Sequence, residues 1–455
     1  MASRNQDFDM CNGPLYCKIL IFSLPIMAMY ILQLLFNTAD MVVIGQFSGS
    51  GALAAVGAAG AIINLIVNLF MGLSVGTSVV VAQDYGAGQQ EAVSRSVHTS
   101  IAISIIGGLI VMIVGIVFCE TLLVLTGTPK DILYLSVLYL KIFFVGMPAS
   151  MVFNFSAAIL RAVGDSRRPM YYLIFTGILH VPFNLFFVIV LHMSVDGVAW
   201  ATVISQYLSV TLILIYLYRN DGAIRFIPRQ VFRIDTKKLL RIVKIGFPAG
   251  LQGLLFSISN VQIQSAINSF GSTMVAASSA SSNVEGFIGT AMTAYYNAAI
   301  TFTGQNMGAK KYDRIDSIAK MCTVLIFATW ILLGGATMLF GRSLLGIYTS
   351  NQEVIELGVM RMNIIMAAFF TCGAVIVYPG LTQAMGYSIL PMLCTLIGAC
   401  LMRMVWLATL FAWHPTEVML FTCYPATWSL AGLGQVGIFL YARRQIRSRS
   451  LPGPE

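Results

Sequence analysis

The chain has 455 residues, of which 58% are hydrophobic and only 10% are charged. Soluble globular proteins carry about 25% charged residues, so this composition excludes an ordinary soluble domain. Apolar runs of about eighteen or more residues recur along the whole chain, and each is long enough to cross about 30 Å of hydrocarbon. Because lipid offers no hydrogen-bond partners to the backbone, we expect these runs to be helices and the fold class to be all-α.

The net charge of +9 lies mostly on one side of the predicted membrane. If the N-terminus is cytoplasmic, 22 of the 27 basic residues fall in cytoplasmic segments. The positive-inside rule then predicts a multi-pass protein of the inner (cytoplasmic) membrane with both termini in the cytoplasm. The positive charge therefore indicates orientation and not a nucleic-acid partner. The eight cysteines are scattered without a CxxC pair, so no metal site is predicted from them.

Twelve spans are predicted in chain order, six on each side of a basic segment. This organisation gives an N-terminal six-helix lobe (1–218), a basic cytoplasmic linker (219–244) and a C-terminal six-helix lobe (245–455). The alternative is that this segment is an ordinary solvated loop with no regulatory role. The predicted spans are 19–47, 52–82, 97–118, 131–160, 169–191, 197–217, 245–269, 274–303, 318–340, 353–382, 389–411 and 419–441.

The two halves of the sequence repeat each other. An offset of 223 residues pairs Pro25 with Pro248 and Asn37 with Asn260, and an offset of 222 pairs the motif AQDYGAG (82–88) with GQNMGAK (304–310). Because each half has an even number of spans, both halves enter the membrane in the same sense. The repeat predicts two pseudo-symmetric six-helix bundles around a central cleft, which is the geometry of a secondary transporter.

These motifs resemble the multidrug and toxic compound extrusion (MATE) family over essentially the whole chain. The resemblance rests on Pro25 and Asp40 in the first span, on AQDYGAG and GQNMGAK, on LRAVGDSRRP (160–169), and on DGVAWATVISQ (196–206). It implies twelve helices in two bundles that form a V-shaped cleft. It also implies export of varied, often cationic compounds in exchange for H⁺ or Na⁺.

The chain departs from the family pattern in its acidic residues. Many bacterial members carry an Asn and, four residues later, an Asp in the fifth span, where this chain has His180 and Asn184. Another branch uses acids in the seventh and tenth spans; Phe256 stands near the first of these positions, and no carboxylate follows Glu356 in the tenth span. The pattern resembles the DNA-damage-inducible bacterial branch, in which a single Asp of the N-terminal lobe is the main coupling residue.

Asp40 is the leading candidate for ion coupling. It lies in an otherwise apolar span, with Gln33 and Asn37 at helical spacing on roughly the same face. Burial disfavours a charged carboxylate, so the group is expected to bind a proton or a Na⁺ ion. The alternative is that Asp40 only forms hydrogen bonds with its neighbours near the outer end of its span.

Further polar residues of the spans complete the predicted sites. His180 either shares a proton with Asp40 or is a neutral core residue. Glu285 is either a second protonatable group or counter-charge for cationic compounds, or one half of a structural pair. Pro25 is predicted to allow bending of the first helix. The cation-coupling set comprises Asp40, His180, Asn184, Asn154 and Thr202, and the substrate-cavity set comprises Gln33, Asn37, Asn260 and Glu285.

The sequence excludes several other functions. It has no GxxxxGK[ST] loop for ATP-driven transport and no compact catalytic set, so we expect no enzyme and no cofactor apart from the coupling H⁺ or Na⁺. The expected partners are small-molecule drugs or toxic metabolites and the lipid bilayer, and the chain is expected to be a monomer. Two alternatives remain open. One is a flippase for lipid-linked oligosaccharides from the same superfamily; the other is a non-transporting receptor or scaffold, for which Asp40→Asn is silent.

Overall fold

A computed structural model describes residues 9–450, and it contains helices and no strands within that range. Residues 186–190 continue α6 as a π-helical turn. The first seven helices are α1 (Leu15–Phe47), α2 (Gly49–Gly86), α3 (Gln90–Leu125), α4 (Lys130–Val145), α5 (Met147–Ala162), α6 (Arg167–Leu185) and α7 (Val195–Arg219).

The second half of the chain repeats this order with more interruptions. A π-helical turn at residues 330–334 connects α10 to α11, and one at 396–401 connects α14 to α15. A third, at 407–411, follows α15. The remaining helices are α8 (Thr236–Asn268), α9 (Ser272–Gly308), α10 (Asp313–Thr329), α11 (Gly335–Gly346), α12 (Gln352–Ala367), α13 (Phe369–Ala384), α14 (Ile389–Thr395), α15 (Met402–Trp406) and α16 (Glu417–Ser450).

Most of these helices have the length and composition of membrane spans. Eight of them, counting the helices that continue through π turns, are long and apolar enough to cross a membrane, and the bent pairs α4–α5 and α12–α13 bring the number to ten. The long helices α9 and α16 account for the other two predicted spans. The all-α membrane fold is thus confirmed.

The chain forms two compact units. One contains Leu24–Phe247, and the other contains Met10–Ser23 and Pro248–Glu455. The boundaries fall beside Pro25 in α1 and Pro248 in α8, so each of these two helices contributes to both units. Proline lacks the backbone N–H of a regular helix and is a common position for a bend.

The two units share one packing scheme. In the first unit α2 packs on α4 and α5, and α6 packs on α7; in the second unit α9 packs on α12 and α13, and α14 packs on α16. Each unit also has a bent pair. The angle is 47° between α4 and α5, where Gly146 precedes Met147 and Pro148, and 53° between α12 and α13. The sequence repeat is therefore also a repeat of packing.

The end of α2 holds the start of α8 within the first unit. Asp84 Oδ2 accepts hydrogen bonds from Ser96 Oγ at 2.6 Å and from Lys238 Nζ at 2.6 Å. Arg241 donates to the side chain of Gln83. The ion pair between Lys238 and Asp84 is largely buried, so this part of the basic segment is packed against the unit and is not solvated.

The equivalent position of α9 holds the residues before α1 within the second unit. Asn306, which the repeat pairs with Asp84, donates to the carbonyl of Met10 at 3.1 Å. Lys311 Nζ donates to the carbonyl of Cys11 at 3.1 Å, and Arg314 donates to that of Gly13 at 3.0 Å. The repeated motifs thus have equivalent structural roles. The end of α2, at GAG, binds the start of α8, and the end of α9, at GAK, binds the residues before α1.

A close backbone crossing joins α2 to α8 in the first unit. A Cβ atom at Gly76 would lie 2.1 Å from the carbonyl oxygen of Ile242, and one at Gly246 would lie 2.7 Å from the Cα atom of Leu73. No side chain can be accommodated at these distances without moving a helix. Glycine is therefore required at both positions for this packing, as at other close helix contacts in membranes.

We expect Gly76→Val to lower the melting temperature of the purified protein by about 2 °C or more, because overpacking of this kind costs about 1–3 kcal/mol. The measurement is thermal unfolding in detergent. Gly60→Ala in the same helix is the matched control, because no atom lies within 4 Å of its Cβ position. Equal melting temperatures for Gly76→Val and the control would contradict the crossing.

Candidate functional site

Asp40 of α1 is buried, and its side chain bonds directly to α6. Its Oδ1 atom accepts a hydrogen bond from His180 Nε2 at 2.7 Å and one from the side-chain amide of Asn184. His180 and Asn184 are one helical turn apart and both are buried. The carboxylate is therefore held by two neighbouring side chains of one helix through a single oxygen atom.

His180 extends this contact to a third helix. Its Nδ1 atom lies 3.2 Å from Ser205 Oγ on α7. Asp40, His180 and Ser205 form a hydrogen-bonded chain across α1, α6 and α7. An imidazole between a carboxylate and a hydroxyl can hold or pass a proton while both of its nitrogen atoms stay bonded.

A glycine allows α1 and α6 to approach at this site. A Cβ atom at Gly177 would lie 1.8 Å from the ring of Phe36, and that ring lies 6.2 Å from the His180 ring. Gly177 precedes His180 by three residues and Phe36 precedes Asp40 by four, so both belong to the same helix faces as the site. Because Gly177 has no side chain, α1 and α6 lie close enough for Asp40 to bond to His180.

The other residues predicted for ion coupling bond to their own helices. Asn154 Nδ2 donates to the carbonyl of Ser150 at 2.8 Å, and Thr202 Oγ1 donates to that of Val198 at 3.0 Å. Neither makes a hydrogen bond to Asp40 in the described structure. On α1, Gln33 is partly buried and Asn37 is exposed. The structure brings together Asp40, His180 and Asn184 and leaves Asn154 and Thr202 outside that hydrogen-bonded group.

Glu285 of α9 forms a buried ion pair in the second unit. Its Oε1 atom accepts from Arg361 Nη1 of α12 at 2.7 Å and from Ser281 Oγ at 2.7 Å. The side chains are 4% exposed for Arg361 and 12% exposed for Glu285, so the pair is almost completely removed from solvent. This is the pairing with a basic side chain that one of the two sequence interpretations describes.

Arg403 of α15 is completely buried without a carboxylate partner in the described structure. Its Nη1 atom donates to Asn260 Oδ1 at 2.8 Å and to Ser259 Oγ at 3.0 Å, both on α8. The guanidinium also lies over the ring of Tyr424, 4.8 Å from its centre. These hydrogen bonds and the aromatic face stabilise the guanidinium, but they do not neutralise its charge. Asn260, predicted to line the substrate cavity, is exposed and covers this arginine.

Ser205 and Arg403 are among the cluster residues that the sequence did not assign to a site. Ser205 is a polar residue of a span at helical spacing from Thr202, and this spacing could have drawn attention to it. Arg403 is a basic residue within a predicted span, but nothing in the local sequence indicates that Asn260 lies beside it. No group of three or more His, Cys, Asp and Glu side chains that could hold a metal ion occurs among residues 9–450.

Two similarly built helical units, with charged and polar side chains buried in membrane-spanning helices, define a polytopic membrane transporter. Comparison with known families gives the same class. The family model MatE matches residues 25–186 and 248–408, one segment in each half of the chain. The chain belongs to the MatE family of transporters.

Individual relatives are distant but cover the chain almost completely. The chain is 24% identical over 440 residues to the probable multidrug resistance protein YoeA of Bacillus subtilis, covering 94% of each sequence. It is 22% identical to the multidrug export protein MepA of Staphylococcus aureus, covering 82% of this chain and 83% of that protein. The family resemblance of the sequence is thus confirmed.

Solved structures match the fold over nearly the whole length. A MOP superfamily transporter from Pyrococcus furiosus superimposes with a TM-score of 0.89 at 20% identity, covering 99% of this chain and 100% of that one. The MATE transporter VcmN of Vibrio cholerae superimposes with a TM-score of 0.88 at 21% identity, covering 94% and 97%. The predicted twelve-helix fold is confirmed by these neighbours.

The ion pair of the second unit generates a prediction about stability. Removing one partner of a buried ion pair costs about 3–5 kcal/mol. A carboxyl group left alone can become neutral by binding a proton, whereas a guanidinium cannot lose one at ordinary pH. We therefore expect Glu285→Gln to lower the melting temperature in detergent more than Arg361→Gln does.

The double variant Glu285→Gln, Arg361→Gln is the matched control for this prediction. It is expected to recover part of the stability that Glu285→Gln loses, because no unpaired charge remains. If Glu285→Gln has the melting temperature of the wild type, the pair has no structural role, and loss of transport in that stable variant would instead indicate a second ion-coupling group.

Proposed function

We propose that the protein is a secondary antiporter that exports small organic compounds, many of them cationic, by exchange with protons. The observation that carries this proposal is the buried hydrogen-bonded chain of Asp40, His180 and Ser205. Its relatives in Bacillus subtilis and Staphylococcus aureus are named as multidrug resistance and multidrug export proteins, which supports drug-like substrates. In this proposal the chain lies in the cytoplasmic membrane as a monomer, with both termini in the cytoplasm.

The neighbours of Asp40 favour H⁺ over Na⁺ as the coupling ion. Hard cations such as Na⁺ are held by several oxygen ligands. Here a nitrogen atom of His180 and the amide nitrogen of Asn184 both donate to the same oxygen of Asp40. Donors of this kind compete with a metal ion for the carboxylate, whereas imidazole is the side chain that titrates near neutral pH. We therefore assign the coupling ion as H⁺.

Exchange follows from the two protonation states of this site. With Asp40 ionised, the site attracts a cationic compound and keeps its bonds to His180 and Asn184. Protonation of Asp40 removes the negative charge, so a bound cation is no longer favoured and the hydrogen bonds to α6 weaken. Pro25 lies in the same helix and supplies a position at which α1 can bend in response. Proton and compound thus bind in a mutually exclusive way, which couples their opposite movement.

The first test of this function measures efflux of a cationic dye from inverted membrane vesicles, with the proton and sodium gradients collapsed separately. We expect collapse of the proton gradient to stop efflux and collapse of the sodium gradient to have no effect. Asp40→Asn is expected to abolish efflux, because an amide cannot take up a proton at physiological pH. His180→Gln, which retains a donor beside Asp40, is expected to slow efflux and change its pH dependence.

Two exposed residues provide matched controls for these variants. Glu120→Gln removes a carboxylate and His414→Gln removes an imidazole on exposed parts of the chain, and both are expected to transport as the wild type does. Undiminished efflux by Asp40→Asn would contradict the proposed role of Asp40. Absence of dye efflux from a well-expressed wild type would contradict the transport function and favour a receptor or scaffold. A requirement for the sodium gradient alone would contradict the assignment of the proton.

A further inference from the structure

Two arginines of the second unit surround one aromatic ring. The guanidinium carbons of Arg361 and Arg403 lie 6.0 Å and 4.8 Å from the centre of the Tyr424 ring. The Trp428 ring lies 5.2 Å from that of Tyr424 and 6.0 Å from the Arg403 guanidinium. These four residues, Arg361, Arg403, Tyr424 and Trp428, are called the Tyr424 cluster below.

The Tyr424 cluster has an excess of positive charge. Glu285 neutralises Arg361 in an ion pair. No carboxylate among the described residues forms an ion pair with Arg403, although its side chain is completely buried. A charge at membrane depth is costly unless it is compensated, and such residues commonly mark a binding site or an ion pathway. The cluster carries one positive charge in excess, and a bound anion would neutralise it.

The unsatisfied polar atoms of this cluster are all hydrogen-bond donors. Arg361 Nε, Arg403 Nη2 and Trp428 Nε1 have no hydrogen-bond partner in the described structure. Their side chains are each more than nine-tenths buried. Buried donors normally find an acceptor. Three donors around one ring, beside an uncompensated arginine, match a ligand group that only accepts hydrogen bonds and carries negative charge.

The internal repeat shows how this cluster differs from the site of the first unit. At the offset of 223 that pairs Asn37 with Asn260, His180 corresponds to Arg403 and Asp40 corresponds to Ile263. The π-helical turn at 396–401 adds one residue to the second half, so the offset changes from 222 back to 223 before Arg403. The contact of His180 with Ser205 is repeated as a contact of Arg403 Nε with Thr427 Oγ1 at 3.4 Å. The second unit thus keeps a basic residue at this position without the acid that faces it in the first unit.

A row of exposed polar side chains on α8 leads to the cluster. Asn260, Gln264 and Asn268 follow one another at intervals of one helical turn and are exposed, and Gln264 donates to Asn268 at 3.0 Å. Asn260 at the inner end of this row accepts a hydrogen bond from Arg403. Exposed amides within a span indicate a surface that faces water rather than lipid. One side chain therefore separates Arg403 from this surface.

We propose that the Tyr424 cluster is a binding site for a monovalent anionic group, and that during transport this group is a carboxylate of the exported compound. This inference rests on the proposed transport function for the identity of the compound, but not for the binding of the anion. Arg403 would then recognise the acidic part of the compound. Selection for carboxylate-bearing compounds is thereby assigned to the second unit.

A matched pair of dyes tests this assignment. Rhodamine B carries a carboxylate beside its cationic ring system, and its ethyl ester keeps the cation without the acid. Efflux of both dyes from inverted vesicles, and their binding to the purified protein by fluorescence anisotropy, are measured for the wild type and Arg403→Gln. Arg342→Gln, which removes an exposed arginine of α11, is the control.

We expect Arg403→Gln to weaken binding and efflux of rhodamine B by about tenfold, the usual effect of losing one charge-assisted hydrogen bond, and to leave the ester unchanged. Equal losses for both dyes would show that Arg403 is only structural and would overturn the proposal. If Arg403→Gln does not fold, Asn260→Ala on the exposed edge of the site is the replacement variant, and a selective loss of rhodamine B of about threefold is expected.

The binding measurement separates this proposal from the transport function. If the wild type transports neither dye but binds rhodamine B more tightly than the ester in an Arg403-dependent way, the anion site stands and the transport proposal fails. The other source of an anion is a free halide ion. To test for it, the melting temperature of the protein is measured while sodium chloride replaces sodium sulfate at constant ionic strength. If chloride raises the melting temperature only when Arg403 is present and the two dyes bind equally, the site is a halide site and the carboxylate assignment is overturned.

Discussion

The cost of placing charge inside a bilayer determines where chemistry can occur in this protein. Several charged side chains buried in the described spans are held by groups from other helices. Asp40 of α1 is held by α6, and the ion pair of Glu285 joins α9 to α12. Arg403 is held by α8 and by aromatic rings. Such a charged group stabilises the arrangement of helices that provides its partners. A change in its protonation or in a bound ligand therefore changes which arrangement of helices is more stable.

The repeat gives both units the same helices and different charges. Equivalent positions hold an acid and a histidine in the first unit, and an aliphatic residue and an arginine in the second. Asp40 and Ile263 are one such pair, and His180 and Arg403 are another. Similar packing supports these different side chains in the two units. An acidic site that binds protons and a basic site that binds anions are therefore compatible with one duplicated fold.

The sequence predicted the helices well and their mutual contacts only in part. Hydropathy locates a span along the chain, and a buried acid such as Asp40 marks a site within it. Hydropathy does not show which face of one span meets which face of another, so the contact of His180 with Ser205 and the burial of Arg403 could not be derived. A polar residue of a span can bond either to a neighbouring helix or to its own helix, as Asn154 does. The sequence does not show which of these two contacts forms.

The central claim is that Asp40 exchanges its proton for a transported compound. The direct measurement is the release of protons when a cationic substrate is added to purified protein in weakly buffered detergent solution, followed with a pH indicator dye. The account predicts release of about one proton per wild-type molecule at a pH where the site is loaded, and none from Asp40→Asn, because the two ligands are mutually exclusive. Substrate binding without proton release by the wild type, or equal release by the variant, would contradict it.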